Sequence, residues 1–152
     1  MKKIGVFPGS FDPFTKGHEA VVHSALNLFD EIVIAIGVNS SKAYLFDLEK
    51  RKSHIRSLFE HESRLRIETY SCLTVDFCKE IGASHIVRGL RDSKDFEYER
   101  SIAHMNTTLS GIETVFLLTN QEYAAINATI VREIYKNKGD ISLFVTNANL
   151  LV

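Results

Sequence analysis

The sequence predicts a doubly wound α/β domain built on a five-stranded parallel sheet. Three observations carry that expectation. Five short apolar runs recur along the chain, at Ile4–Phe7, Ile32–Gly37, Leu65–Tyr70, Ile86–Val87 with its flanks, and Thr114–Leu118. Stretches with apolar residues at helical spacing separate them, so strand and helix alternate. The second and fifth runs are nearly continuous in apolar and β-branched residues, the pattern of strands buried on both faces of a parallel sheet.

The helical elements follow in order. Val21, Val22, Ala25, Leu26 and Phe29 form the first apolar stripe. Leu48, Ile55, Leu58 and Phe59 form the second, with Lys50, Arg51, Lys52 and Arg56 expected outward. Val75, Phe77, Cys78 and Ile81 suggest a third helix ending at Gly82. Phe96, Ile102, Ala103 and Met105 suggest a fourth. Ile130, Val131, Ile134 and Tyr135 suggest a fifth, ending near Gly139. The two prolines, Pro8 and Pro13, are expected in one loop after the first strand. In such sheets ligands bind beyond the carboxyl ends of the strands, near the point where strand order reverses.

Composition bounds the rest. The chain has 152 residues, 45% hydrophobic and 24% charged. That is one domain's worth, and residues 1–152 are expected to form one domain. The formal net charge of −1 argues against a general nucleic-acid coat. No run approaches the roughly 18 apolar residues of a membrane span. Cys72 and Cys78 fit neither a C-x-x-C pair nor a zinc knuckle, and are expected to be buried, reduced thiols. No cluster has the spacing of a protein metal cage. These features predict a cytoplasmic protein with no membrane and no nucleic-acid partner.

The chemistry concentrates after the strands. The first loop reads Pro8-Gly9-Ser10-Phe11-Asp12-Pro13-Phe14-Thr15-Lys16-Gly17-His18. It is neither a Walker A loop nor a G-x-G-x-x-G fingerprint. Gly9 and Gly17 allow close backbone approach, and Ser10 offers a hydroxyl. Thr15 is a candidate helix cap that leaves His18 in the first turn, where free N–H groups and the helix dipole attract phosphate. A histidine there adds a hydrogen bond or a charge. Lys42 follows the second strand. Arg88 and Arg91 follow the fourth, around Gly89 in what reads as a tight turn, and arginine binds phosphate bidentately. Glu99 shares a helical face with Phe96 and Ala103, so it needs a partner: an arginine or the ligand. His104 is read as a packing residue, and His23, His54, His61 and His85 as surface or edge residues.

Gly9-Ser10-Phe11-Asp12-Pro13 followed by Thr15-Lys16-Gly17-His18 closely resembles the nucleotidyltransferase signature G-[ST]-F-D-P…[HT]-x-G-H. The form with Thr15 is similar to that of the phosphopantetheine adenylyltransferases. The resemblance continues through Asn39-Ser40-Ser41-Lys42, Phe46-Asp47-Leu48-Glu49-Lys50-Arg51 and Ser71–Phe77. It extends to Val87-Arg88-Gly89-Leu90-Arg91, Asp95–Glu99 and Ala103–Asn106, covering about residues 4 to 145. It is weaker at Ile126–Arg132. There Ala128 stands where the family pattern has a hydroxyl, Thr129 keeps one, and Asn127 is a candidate cap. Tyr123 stands where many members carry tryptophan.

The resemblance implies a Rossmann-like domain that transfers the adenylyl group of ATP to 4′-phosphopantetheine, giving dephospho-coenzyme A and pyrophosphate. It implies catalytic roles for Ser10, His18, Lys42 and Arg91. It implies acceptor contacts at Ser10, Lys42, Leu73, Thr74 and Arg88. The nucleotide would be held by Gly9, Ser10, Phe11 and His18, by Gly89, Leu90, Arg91 and Glu99, and by the segment Tyr123, Ala124, Ala125, Ile126, Asn127, Ala128 and Thr129. Mg²⁺ would arrive on the triphosphate rather than in a protein site. A homohexamer and feedback inhibition by coenzyme A are further implications. The C-terminal residues Leu143, Phe144, Val145, Leu150, Leu151 and Val152 could serve an interface or the core. Two other readings stay open. One is an adenylyl- or cytidylyltransferase acting on a nicotinamide nucleotide or polyol phosphate. The other is a non-catalytic module that binds adenine nucleotide or coenzyme A.

Overall fold

A computed structural model describes residues 1–152. Five strands are present: β1 (Ile4–Gly9), β2 (Glu31–Gly37), β3 (Leu65–Tyr70), β4 (His85–Leu90) and β5 (Glu113–Leu118). Five α-helices alternate with or follow them: α1 (Lys16–Ala25), α2 (Leu48–Leu58), α3 (Thr74–Glu80), α4 (Ser93–Ser110) and α5 (Ala128–Lys136). The strands run parallel in the order β3-β2-β1-β4-β5. Strand order therefore reverses between β1 and β4, and that junction opens the crevice expected of a doubly wound sheet.

Alternation along the strands builds the two layers. Phe7, Ile32, Ile34, Ile36 and Val87 face one way and pack with α1 and α2 through Val22, Ala25 and Ile55. Val6, Val33, Ala35 and Ile86 face the other way, against Val75, Phe77 and Cys78 of α3. This period-two division is what a sheet covered on both faces requires. A third cluster joins Phe46 and Val131 to Ile141, Val145, Ala148 and Leu151, so the C-terminal segment is partly core. Leu143, Leu150 and Val152 remain exposed.

Several expectations are corrected. Pro8 lies within β1, paired with Ala35, rather than in the loop with Pro13. The fifth run lies in an edge strand rather than a doubly covered one, with Thr114–Leu117 half-buried and Leu118 exposed. Arg51 and His54 are buried, at 3% and 0% exposure, rather than outward or at the surface. Both lie on the inner face of α2 with Leu48 and Ile55. Cys72 is exposed, because it sits in the loop before α3, whereas Cys78 is buried as expected. Arg88 and Gly89 belong to β4 itself, so no tight turn separates the two arginines. The expected apolar stripe of α4 is largely uncovered: Phe96, Ile102 and Met105 are exposed, as are Tyr98 and Leu109 beside them, and only Glu99 of that helix is buried.

Candidate active site

A cleft of about 360 Å³ opens over the carboxyl ends of β1 and β4. Its walls come from the first loop, α1, β4, α4, and the segment entering α5.

His18 sits at the third position of α1. The Thr15 hydroxyl accepts from the His18 N–H at 3.4 Å, and His18 Nδ1 accepts from the Thr15 N–H at 3.0 Å. This reciprocal arrangement is a capping box with histidine in the usual glutamate position. It has a chemical consequence. An Nδ1 that accepts from a backbone amide carries no proton, so the neutral ring holds its proton on Nε2. The ring packs among Phe11, Phe14 and Phe7, with centroids at 5.1, 5.3 and 6.1 Å. Burial, and then the positive charges of Arg88 and Arg91, push its pKa from 6.5 down to about 3. The ring is a neutral hydrogen-bond donor, not a cation.

The two arginines are held by carboxylates of α4. Arg88 donates through Nε and Nη2 to Glu99 at 3.1 and 2.7 Å, and through Nη1 to the Pro8 carbonyl at 2.6 Å. Glu99 thus takes the arginine partner foreseen for it while also lining the cleft. Arg91 donates to both oxygens of Asp95 at 3.0 and 3.1 Å, and to the Ile126 carbonyl at 3.3 Å. The Arg91 guanidinium holds the Asp95 carboxyl below its ordinary pKa. Each guanidinium has five N–H donors and uses three in these bonds, so two remain for a ligand. Between the arginines, a Cβ on Gly89 would stand 2.6 Å from Val21 Cγ2. Glycine there lets α1, and with it His18, approach β4. Leu90 is buried and lines no part of the cleft; its carbonyl accepts from the Thr119 N–H at 2.8 Å.

The start of α5 closes the cleft. Asn127 Oδ1 accepts from the Thr129 and Ile130 N–H groups at 2.8 and 3.3 Å, which makes it the helix cap. Its amide oxygen is thus committed to the helix. Tyr123, Ile126, Asn127, Ala128 and Thr129 line the cleft, while Ala124 and Ala125 do not. The Phe11 side chain is buried over Gly9, where an added Cβ would meet its ring at 2.9 Å, so Phe11 can offer a ligand only its backbone.

Lys42 is not in this cleft. It lines an adjoining, more open hollow of about 730 Å³ with Ser10, Leu73 and Thr74. Gly9 and Ser10 border both spaces, which makes them one continuous surface. The Lys42 ammonium lies 5.4 Å from the Tyr44 ring centroid. The Thr74 and Tyr70 hydroxyls are 2.9 Å apart. A smaller space of about 230 Å³ behind Arg88 and Glu99, lined by Tyr98, Ile102 and Asn106, also borders Thr74 and Gly9. No group of three His, Cys, Asp or Glu side chains is placed to cage a metal. The cleft carboxylates are already committed: Asp95 and Glu99 to arginines, Asp12 to the Leu45 and Phe46 N–H groups at 2.7 and 2.9 Å.

Sequence reasoning missed four contributors. Asp95 and Asp12 lay inside quoted motifs without a role, and Thr119 follows β5 at the ligand end of the sheet. Arg132 stood in a quoted motif without a role; it bonds the Asp12 carbonyl and the Thr129 hydroxyl at 3.0 and 3.1 Å.

Comparisons with known proteins agree with this fold and place the chain in a family. The cytidylyltransferase-like family model matches residues 6–134. A protein of Flavobacterium psychrophilum named phosphopantetheine adenylyltransferase is 50% identical over 148 residues, covering 97% of each chain. One of the same name from Bacteroides fragilis is 49% identical over 140 residues, covering 92% of this chain and 93% of its own. Among solved structures, a bifunctional NMN adenylyltransferase/ADP ribose pyrophosphatase from Francisella tularensis superposes with a TM-score of 0.69 at 21% identity. It covers 99% of this chain and 48% of that one, and at such identity it speaks for the fold alone. With family model, near-full-length relatives and cleft in agreement, the chain belongs to the phosphopantetheine adenylyltransferase family of nucleotidyltransferases.

Proposed function

We propose that the chain joins ATP and 4′-phosphopantetheine to give dephospho-coenzyme A and pyrophosphate, with both substrates in the one cleft. The observation that carries this reading is the continuity of two spaces at Gly9 and Ser10. One is walled by His18, Arg88 and Arg91, the other by Lys42, Leu73 and Thr74.

A phosphate oxygen of phosphopantetheine attacks the α-phosphorus of ATP in line. The new P–O bond forms as the bond to the β-phosphate oxygen breaks, and pyrophosphate leaves with that electron pair. The attacking oxygen is already anionic, so no general base is needed. The obstacle is the meeting of negative charges, which positioning and fixed donors relieve. His18 donates its Nε2 proton as a hydrogen bond to the α-phosphate, where charge grows in the transition state. Ser10 and Lys42 orient the attacking phosphate, and Arg88 holds it with its two remaining donors. Arg91 and the start of α5 take the β- and γ-phosphates. The Ala128 N–H, first in that helix and without an acceptor in the chain, supports this assignment. Leu73 and Thr74 meet the pantetheine arm. Mg²⁺ enters as part of the MgATP substrate and shields its phosphate charge; the committed carboxylates support a metal held by phosphate and water.

The uncovered apolar face of α4 supports a homohexameric assembly, which light scattering on the purified protein tests; a monomer contradicts it. Coenzyme A, which shares the pantetheine arm, is expected to compete for the cleft. A place in the cytoplasm fits a step of coenzyme A synthesis, and no helix is long and apolar enough to cross a membrane. The deciding assay is pyrophosphate release from MgATP with 4′-phosphopantetheine, beside nicotinamide mononucleotide and a no-acceptor control. Release with nicotinamide mononucleotide instead, or binding without release, overturns the reading.

A further inference from the structure

Arg64, Arg66, Arg88 and Arg91 each meet a carboxylate. Arg51 and Arg132 meet none. Arg51 is 3% exposed. Its Nε donates to the Phe46 carbonyl at 2.9 Å and its Nη1 to the Ser10 carbonyl at 2.7 Å. Its guanidinium carbon lies 4.3 Å from the Tyr44 ring centroid. Arg132 donates to the Asp12 carbonyl at 3.0 Å. The carbonyls on the two sides of Phe11 thus each accept from a guanidinium that makes no salt bridge.

Phe11 is the residue that needs holding. Its φ is 49°, in the left-handed region that side chains bearing a Cβ seldom adopt. The Ser10 carbonyl and the Phe11 N–H belong to one peptide unit. Neither the Ser10 nor the Phe11 N–H has an acceptor within the chain, and both residues line the cleft. A charged donor on the carbonyl draws electron density through the amide and makes its N–H a stronger donor. The nearest buried carboxylate, Asp12, is engaged by the Leu45 and Phe46 N–H groups rather than by Arg51, so the guanidinium keeps more of its field than one in a direct ion pair.

We propose that Arg51 is a positioning residue for the transfer step: it orients and polarises the Ser10–Phe11 peptide so that the Phe11 N–H serves the nucleotide phosphates, with Arg132 pinning the other side of Phe11. The proposal rests on the adenylyl-transfer reading for its reaction, but the state of the peptide can be read without turnover.

The test uses Arg51→Lys, which keeps the charge and loses the fork, and Arg51→Ala with added guanidinium chloride at non-denaturing concentration. Arg56→Ala, an exposed position on the same helix, is the control. In Arg51→Lys we expect kcat to fall 10- to 100-fold while KM for ATP changes less than threefold and the thermal midpoint moves little. Guanidinium should restore at least threefold of the loss in Arg51→Ala and nothing in Arg56→Ala. In parallel, the Ser10 carbonyl carbon and Phe11 amide nitrogen resonances should move upfield in Arg51→Lys relative to the parent protein. Unchanged kcat in folded Arg51→Lys, or unmoved resonances at Ser10 and Phe11, overturns the proposal. So does a kcat loss matched by the loss of folded protein. Absence of turnover in the parent protein counts against the adenylyl-transfer reading instead, and the resonances still decide the role of Arg51.

Discussion

The two halves of the cleft are built differently. In the part of the cleft that the proposal gives to the nucleotide, the polar groups are already held: Arg91 by Asp95 and the neutral His18 by its own helix cap, with Arg88 fixed by Glu99 at the border with the acceptor. In the part proposed for the acceptor, Lys42 is exposed with its ammonium 5.4 Å from the Tyr44 ring centroid, and Leu73 is 61% exposed. The lesson is one of preorganisation. Groups that must stabilise charge during reaction gain from being fixed beforehand, since no reorganisation is then needed. Groups that catch a flexible substrate can remain loose.

That contrast is breakable, and the sharpest break is at His18. His18→Ala is expected to lower kcat about a thousandfold, some 4 kcal/mol of barrier, with the fold retained. A near-normal kcat would remove His18 from the proposed chemistry. Arg91→Ala should act next, raising KM for ATP by roughly 10- to 100-fold. A charge-assisted bond is worth about 1.5–3 kcal/mol, and Asp95 would be left facing the phosphates. Lys42→Ala should cost less, about tenfold in KM for phosphopantetheine with KM for ATP unchanged, as befits a solvated point charge. Equal effects of the Arg91 and Lys42 substitutions on both substrates would erase the distinction between the two halves.

The smallest expected effect is on stability in acid. Burial lowers the pKa of both His18, to about 3, and His54. His54 Nε2 lies 2.7 Å from the Thr146 carbonyl, and its buried Nδ1 has no partner. Between about pH 3 and 6.5 the unfolded chain binds protons that the folded chain refuses, so stability rises with pH in that window. The thermal midpoint should therefore decline as pH falls from 7 to 4. A His54→Leu variant should show a shallower decline, by a few degrees over that range. An identical slope in that variant would rule out a contribution from His54.

Much of this was legible beforehand, for physical reasons. Strands buried on both faces write themselves as runs such as Ile32–Gly37, and the caps Thr15 and Asn127 stand where a helix must begin. The first loop, read as a ligand-facing segment, does line the cleft from Pro8 to Asp12 and again at Thr15, Gly17 and His18. Arg51 was misplaced because its charge outweighed its position. Leu48, Arg51, Ile55 and Leu58 share the inner face of α2, and that spacing was the available signal. Other features depend on contacts between elements distant in sequence. The pairing of Arg88 with Glu99 joins β4 to α4, and the Asp12 carboxylate reaches across to Leu45 and Phe46. The tautomer of His18 depends on one backbone amide, which no residue pattern records.

The hydrogen bond from the Thr15 amide to His18 has a further consequence for traffic in protons. One ring nitrogen is occupied by the helix and, in the proposed reaction, the other donates to the α-phosphate, so the imidazole has no vacant site on which to carry a proton. In the proposed reaction the protein would end each cycle in the protonation state in which it began it. Turnover in heavy water should then differ little from turnover in ordinary water, and the reverse direction, from dephospho-coenzyme A and pyrophosphate, should need no resetting of the histidine.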